Sequence, residues 1–174
     1  NRELMKLELE KANYDILIAT EGNQLELLKK EFPNATFIKL FGYNITYAKT
    51  NLGFSLKIIA QIPSILFKIK KEREWLQKII VAEKIDLVIS DNRYGLYSNL
   101  VSCVFITHQL TIKAPFNWLE NILQKINYEK ISKFSALWVP DIFGEKCIAG
   151  ELSNPKRKPF FPVNYIGLLS RFSL

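Results

Sequence analysis

The sequence has one histidine, two cysteines and one methionine among 174 residues. One histidine and two distant cysteines offer no paired ligands at zinc spacing, so no metal site is expected. Two cysteines also make no disulfide framework and fit a reducing compartment. Cys103 sits inside the apolar run "VSCVFI" and reads as a buried thiol. Glycine is sparse, and none of the seven builds a G-x-G-x-x-G or Walker A loop. Binding of a dinucleotide or ATP by those routes is therefore not expected, nor is any cofactor. No Asp-x-Asp metal motif occurs, and no segment repeats at a fixed period. No apolar stretch is long and charge-free enough to span a bilayer; residues 56–69 come nearest, but lysines interrupt them. No secretory signal is visible, and no initiator Met precedes Asn1, so residues upstream are expected.

What is present is a hydrophobic content of 48%, enough for one domain with a core. Lys and Arg number 24 against 17 Asp and Glu, a net charge of +7. That balance suits nucleic acid, anionic lipid or a phosphorylated ligand, or serves solubility alone.

Hydrophobic spacing divides the chain into short apolar runs and amphipathic stretches. "RELMKLELEKA" is helical in pattern, "YDILIAT" is of strand length, and "NQLELLKKEF" is helical until Pro33 stops it. "ATFIKL" reads as a strand, followed by the loop "FGYNITYAKTNLG". From about Phe54 to Glu83 a long helix carries Ile58, Ile62, Ile65, Leu66, Ile69, Leu76 and Ile80 on one face. Pro63 is expected to kink or divide it. "DLVIS" and "CVFIT" are buried-type strands, "NWLENILQKINYEKISKF" a helix, "ALWVP" a strand. "EKCIAGELSNPKRKPFFP" reads as irregular surface chain, and "VNYIG" as a last short strand.

Apolar strands without alternation, separated by helices, predict parallel strands covered on both faces. The expected fold is α/β, a Rossmann-like doubly wound parallel sheet. Ligands of such sheets sit beyond the carboxyl ends of the strands. Asp91, Asn92 and Arg93 end one strand, and Thr107, His108 and Gln109 end the next. Tyr43 and Asn44 follow the strand at 36–40 and are expected at the same rim.

The segments "YNITY", "SDNRYGLYS", "FITHQL", "LWVPD" and "YIGLLSRF", in this order along nearly the whole chain, resemble a bacterial family of GT-B glycosyltransferases. The likeness is to the family 28-like relatives of the peptidoglycan lipid-intermediate N-acetylglucosaminyltransferase. It implies the N-terminal, acceptor-binding half of a two-domain fold: residues 1–167 as that domain, 168–174 as the start of a linker to a C-terminal donor domain. It also implies a first strand and a G-x-G-H loop upstream of Asn1. A nucleotide-sugar donor, commonly a UDP-sugar, would bind the donor domain. The family often has Pro after the Gly of "YIG", where this chain has Leu168. His108 and Gln109 match the start of a His-Glu-Gln-Asn-like motif, with Gln109 at the acidic position.

Sugar transfer with inversion needs a base for the acceptor hydroxyl and donors or positive charge for the leaving diphosphate. An amide is no base, so in this chain the role falls to His108 or to the histidine implied upstream. His108 is thus the candidate catalytic residue; the alternative is a structural histidine beside Thr107. Asp91, Asn92, Arg93, Thr107 and Gln109 are candidate acceptor ligands, Arg93 as a planar fork for phosphate or sugar. The alternative for the first loop is a cap by Asp91 that pairs with Arg93. Tyr43 and Asn44 offer a stacking face and an amide, or ordinary turn chemistry.

Opposite the core stripe of the long helix lie Phe67, Lys68, Lys71, Trp75 and Lys78. Lysines among large aromatics suit an anionic membrane surface, where a lipid-linked acceptor would be met. A solvated lysine face is the other reading. The overall expectation is the acceptor domain of a hexosyltransferase of the cell envelope, cytoplasmic and peripheral on the inner face of the membrane, inactive without its donor domain. The alternative is a non-catalytic sugar-binding or interaction module of the same half-fold. No nucleic-acid motif appears, so nucleic acid is not expected as a partner.

Overall fold

A computed structural model describes residues 14–20, 23–33, 35–40, 51–144 and 146–168. The helix expected at the N-terminus and the loop carrying Tyr43 and Asn44 lie outside the described residues. Two compact units divide the chain between Asn44 and Ile45.

The first unit contains β1 (Leu17–Thr20), α1 (Asn23–Glu31) and β2 (Thr36–Lys39). β1 and β2 pair in parallel, Leu17 opposite Thr36 and Thr20 opposite Lys39. Leu28, Phe32 and Leu40 are its buried apolar side chains among the described residues. Parallel strands this close in sequence require a crossover, and α1 supplies it.

The second unit holds α2 (Asn51–Ala82), β3 (Leu87–Asp91), β4 (Ser102–Ile106), α3 (Asn117–Ile131), β5 (Ala136–Val139) and β6 (Asn164–Tyr165). Its strands form one parallel sheet in the order β3-β4-β5-β6. The parallel α/β class expected from the sequence is therefore present. Strands in sequential order contain no reversal, so this sheet alone has no topological switch point.

β4 and β5 are the centre. Cys103, Val104, Phe105 and Ile106 are all buried in succession, as a strand covered on both faces must be. Phe105 stacks at 5.2 Å on Tyr94 and 4.8 Å on Phe134, and Tyr97 adds a contact of 5.7 Å to Phe134. Burial of a Phe contributes roughly 2–3 kcal/mol, and each aromatic pair about 0.5–1.5 more. β3 departs from the expectation of two-sided burial. Val88 and Ser90 are buried while Leu87 and Asp91 are exposed, the alternation of an edge strand with one covered face.

α2 runs unbroken through Pro63, so the proline does not divide it. Pro63 is exposed, and so is Ile59, whose carbonyl loses its helical partner. Further along, Ile69, Leu76 and Ile80 are buried as expected, and Glu72 is buried among them. The crossing from β3 to β4, residues 92–101, contains no helix. It passes directly against α2. A Cβ on Gly95 would stand 2.5 Å from Glu72 Oε2 and 2.6 Å from the Ile69 carbonyl oxygen, so only glycine fits.

Candidate functional site

Because β3, β4, β5 and β6 are parallel, the segments after Asp91, Ile106, Val139 and Tyr165 all leave the sheet at one rim. The ladder extends one step past the strands there. Asn92 N–H donates to the Ile106 carbonyl at 3.0 Å, and Thr107 N–H to the Trp138 carbonyl at 3.1 Å. Asn92 takes a left-handed backbone, φ 56°, a conformation asparagine tolerates better than most residues. This turn brings its side chain to Thr107, whose Oγ1 donates to Asn92 Oδ1 at 3.3 Å. The same hydroxyl accepts from Gln109 N–H at 3.0 Å. Thr107 itself is buried, and its hydroxyl shapes the rim from beneath. His108 and Gln109 are exposed on the turn it holds, and Asp91 and Asn92 are exposed on the neighbouring one.

Arg93 goes elsewhere. Its Nε donates to Glu72 Oε1 at 2.7 Å, and Nη2 lies 2.6 Å from the same oxygen. The other carboxylate oxygen accepts from Gly95 N–H at 3.0 Å. Ser90 Oγ donates to the Arg93 carbonyl at 2.6 Å. The guanidinium is thus held against α2, its side chain only 17% exposed and that of Glu72 4%. "SDNRYGL" closes the β3–β4 crossing through this ion pair. Of the expected rim residues, the structure brings Asn92, Thr107 and Gln109 into direct contact, sets His108 and Asp91 beside them in sequence, and pairs Arg93 with Glu72. Tyr43 and Asn44 lie outside the described residues.

The third rim segment is built on Asp141, which is 1% exposed. Its Oδ1 accepts from Ile142 N–H at 2.7 Å and Ile148 N–H at 2.9 Å. Its Oδ2 accepts from Ala149 N–H at 3.0 Å and from Ser153 Oγ. Burial would raise this carboxyl's pKa, but the donors from Ser153, Ile148, Ala149 and Ile142 outweigh it and hold it at about 2. Tyr165 adds a bond to the Ser153 carbonyl at 2.7 Å, so β6 and the segment 141–153 are tied together. Glu151 joins this segment to the β4 turn. It bridges Lys156 at 2.8 Å and Lys113 at 3.0 Å. Those two lysines hold the exposed Glu151 carboxyl at about 2. The signal for Asp141 was the Pro-Asp break after "ALWV"; an acid directly after an apolar strand needs donors nearby. Glu72 announced itself as an acid at a core position of a helical stripe, between Ile69 and Leu76.

An open cavity of about 400 Å3 lies at the opposite edge, where β4 and β5 begin, lined by residues 98–102 and 133–135. Its only charged lining residue is Lys133, and none of the rim residues reaches it. Among the described residues, no three His, Cys, Asp or Glu side chains stand close enough to hold a metal ion. Comparison with protein-family models, with curated proteins and with solved structures finds no match to this chain.

On α2, Phe67 is 57% exposed, with Lys71 Nζ 4.7 Å above its ring. Lys71 and Lys78 are exposed, while Lys68 and Trp75 are half-buried. No described helix is long and apolar enough to cross a membrane.

Proposed function

We propose that this chain is the acceptor-binding domain of a nucleotide-sugar-dependent glycosyltransferase of GT-B type, built on a doubly wound sheet and acting on a cell-envelope or lipid-linked acceptor. One observation carries the reading. The two strand ends that carry "SDNRYG" and "THQL", two of the segments behind the resemblance, are bonded to each other through Thr107 and Asn92. They expose a histidine, two amides and a carboxylate at one rim.

In this reading the acceptor sugar lies across the turns at Asp91–Asn92 and His108–Gln109. The amides and Asp91 hold its hydroxyls. His108 takes the proton of the attacking hydroxyl as that oxygen bonds to the anomeric carbon and the nucleoside diphosphate departs with the bonding electrons. Charge on the leaving diphosphate is met in the donor domain, which is why the chain needs that partner for transfer. Phe67, Lys68, Lys71, Trp75 and Lys78 meet the anionic inner face of the cell membrane, where the lipid-linked acceptor resides.

A second reading, a non-catalytic sugar-binding or interaction module of the same half-fold, draws support from Arg93 and Gln109. The first is held by Glu72, and the second replaces a carboxylate with an amide. A transfer assay on the full-length gene product with radiolabelled UDP-sugars and a membrane-lipid extract separates the two. Transfer that falls at least a hundredfold in His108→Ala supports the enzyme. Acceptor binding without transfer supports the module. Transfer unaffected by His108→Ala removes His108 from the mechanism.

A further inference from the structure

Asn127 of α3 bonds the residues that directly follow both rim turns. It is 4% exposed. Its Oδ1 accepts from the Tyr94 hydroxyl at 2.9 Å, one residue beyond Arg93. Its Nδ2 donates to the Leu110 carbonyl at 3.1 Å, two residues beyond His108. Leu110 is fully buried and is the anchor of its turn. Its carbonyl also accepts from Gln124 Nε2 at 2.8 Å, and Gln124 Oε1 in turn accepts from Ile112 N–H at 2.8 Å. The Leu110 N–H donates to the Leu152 carbonyl at 2.7 Å.

The two turns are therefore joined twice. At the rim the buried Thr107 hydroxyl bonds the exposed Asn92 side chain at the long distance of 3.3 Å. Deeper in the fold the path Tyr94–Asn127–Leu110 runs through the buried Asn127 by bonds of 2.9 and 3.1 Å. An asparagine suits it because one end accepts and the other donates. Aspartate would face the Leu110 carbonyl with a second acceptor, and leucine would take the acceptor from the Tyr94 hydroxyl and leave the Leu110 carbonyl to Gln124 alone.

We propose that Asn127 is a positioning residue: it sets the spacing between the Asp91–Arg93 turn and the Thr107–Gln109 turn and transmits displacement of one to the other. The use of that spacing, holding an acceptor before His108, rests on the function proposed above. The coupling itself is a property of the fold.

His108 is the sole histidine, so the imidazole Cε1–H signal of the intact chain belongs to it alone. Tyr94→Phe deletes the hydroxyl and keeps the ring that packs on Phe105. It should shift and broaden the His108 signal while circular dichroism stays that of the parent. Asn127→Leu should do so more strongly. Tyr128→Phe is the control: it deletes a hydroxyl of the same helix that bonds the Arg157 carbonyl at 2.8 Å, and it should leave the His108 signal unmoved. If Asn127→Leu does not fold, Tyr94→Phe decides. An unmoved His108 signal in Tyr94→Phe, or an equal shift in Tyr128→Phe, overturns the proposal. In the full-length transfer assay, Tyr94→Phe should lower kcat/KM for the acceptor about tenfold with the donor KM unchanged. Unchanged acceptor kinetics overturn the positioning role. Absence of transfer by the parent protein overturns the enzyme reading instead, and the imidazole signal then judges the coupling alone.

Discussion

Glu72 and Arg93 stand twenty-one residues apart in sequence and meet in a nearly buried ion pair. Glu72 Oε1 receives two guanidinium nitrogens, at 2.7 and 2.6 Å, and Oε2 receives the Gly95 amide at 3.0 Å. One carboxylate thus fixes the helix-free crossing from β3 to β4 onto α2.

Removing one partner takes from a nearly buried charge the ion pair described above. Arg93→Ala and Glu72→Ala should each lower stability by about 3–5 kcal/mol, read as a fall in the urea midpoint with unchanged slope. Arg93→Lys should recover only part, because an ammonium cannot present two nitrogens of a fixed fork. Replacing the pair together, Glu72→Met with Arg93→Met, should cost much less than either alanine variant. A loss below about 1 kcal/mol for Arg93→Ala would show that the arginine is not a structural tie.

Gly95→Ala tests the same junction by volume. The new methyl meets the Ile69 carbonyl oxygen at 2.6 Å, and backbone cannot swing aside as a side chain can. The expected loss is roughly 1–3 kcal/mol, with Glu72→Ala in the background relieving only the part due to that side chain.

Asp141 makes stability depend on acid. Its folded pKa is about 2 against 3.8 when free. A depressed carboxyl favours folding above its unfolded value, and the contribution disappears as pH falls through the folded one. On the order of 2 kcal/mol should be present above about pH 4 and lost toward pH 2. Glu151 titrates in the same range, but it is exposed, so its share should vanish in 1 M salt while that of Asp141 persists. Urea midpoints of the parent and Asp141→Asn at pH 7, 4 and 2.5 check this; equal pH slopes for the two proteins would show that Asp141 is not the group responsible.

The lysine face of α2 makes a separate prediction. Co-sedimentation with phosphatidylglycerol vesicles should exceed that with phosphatidylcholine. Lys68→Glu with Lys71→Glu should abolish the difference, and Phe67→Ala should weaken binding to both lipids. Equal binding to neutral and anionic vesicles, or no effect of the charge reversals, removes this face from any membrane role.

Much of the architecture was legible because it rests on local pattern. The apolar runs at Leu87–Asp91, Ser102–Ile106 and Ala136–Val139 are strands, and the periodic stretch at Asn117–Ile131 is a helix. Pairing and position along a rim follow from parallelism, so Asn92 and Thr107 could be expected near each other. What stayed hidden depends on partners far off in sequence. Arg93 reads as a free fork until Glu72 is seen beneath it, and a buried glutamate looks like any helix-surface acid except for its place in the stripe. The alternation of β3 reflects its edge position, which no local pattern records. Pro63 reads as a break, yet the exposed proline is carried within a continuous helix.

The two thiols differ in their surroundings. Cys103 is fully buried between Ser98 and Val101, and burial pushes its thiol up. Cys147 is half-buried in the segment that Asp141 clasps. A maleimide dye at pH 7 should therefore attach at one place without any engineering. That place is on the segment after β5, the same side of the sheet as the turns of Asn92 and His108. The protein carries its own optical handle for watching that rim respond to a sugar, a vesicle or a second domain.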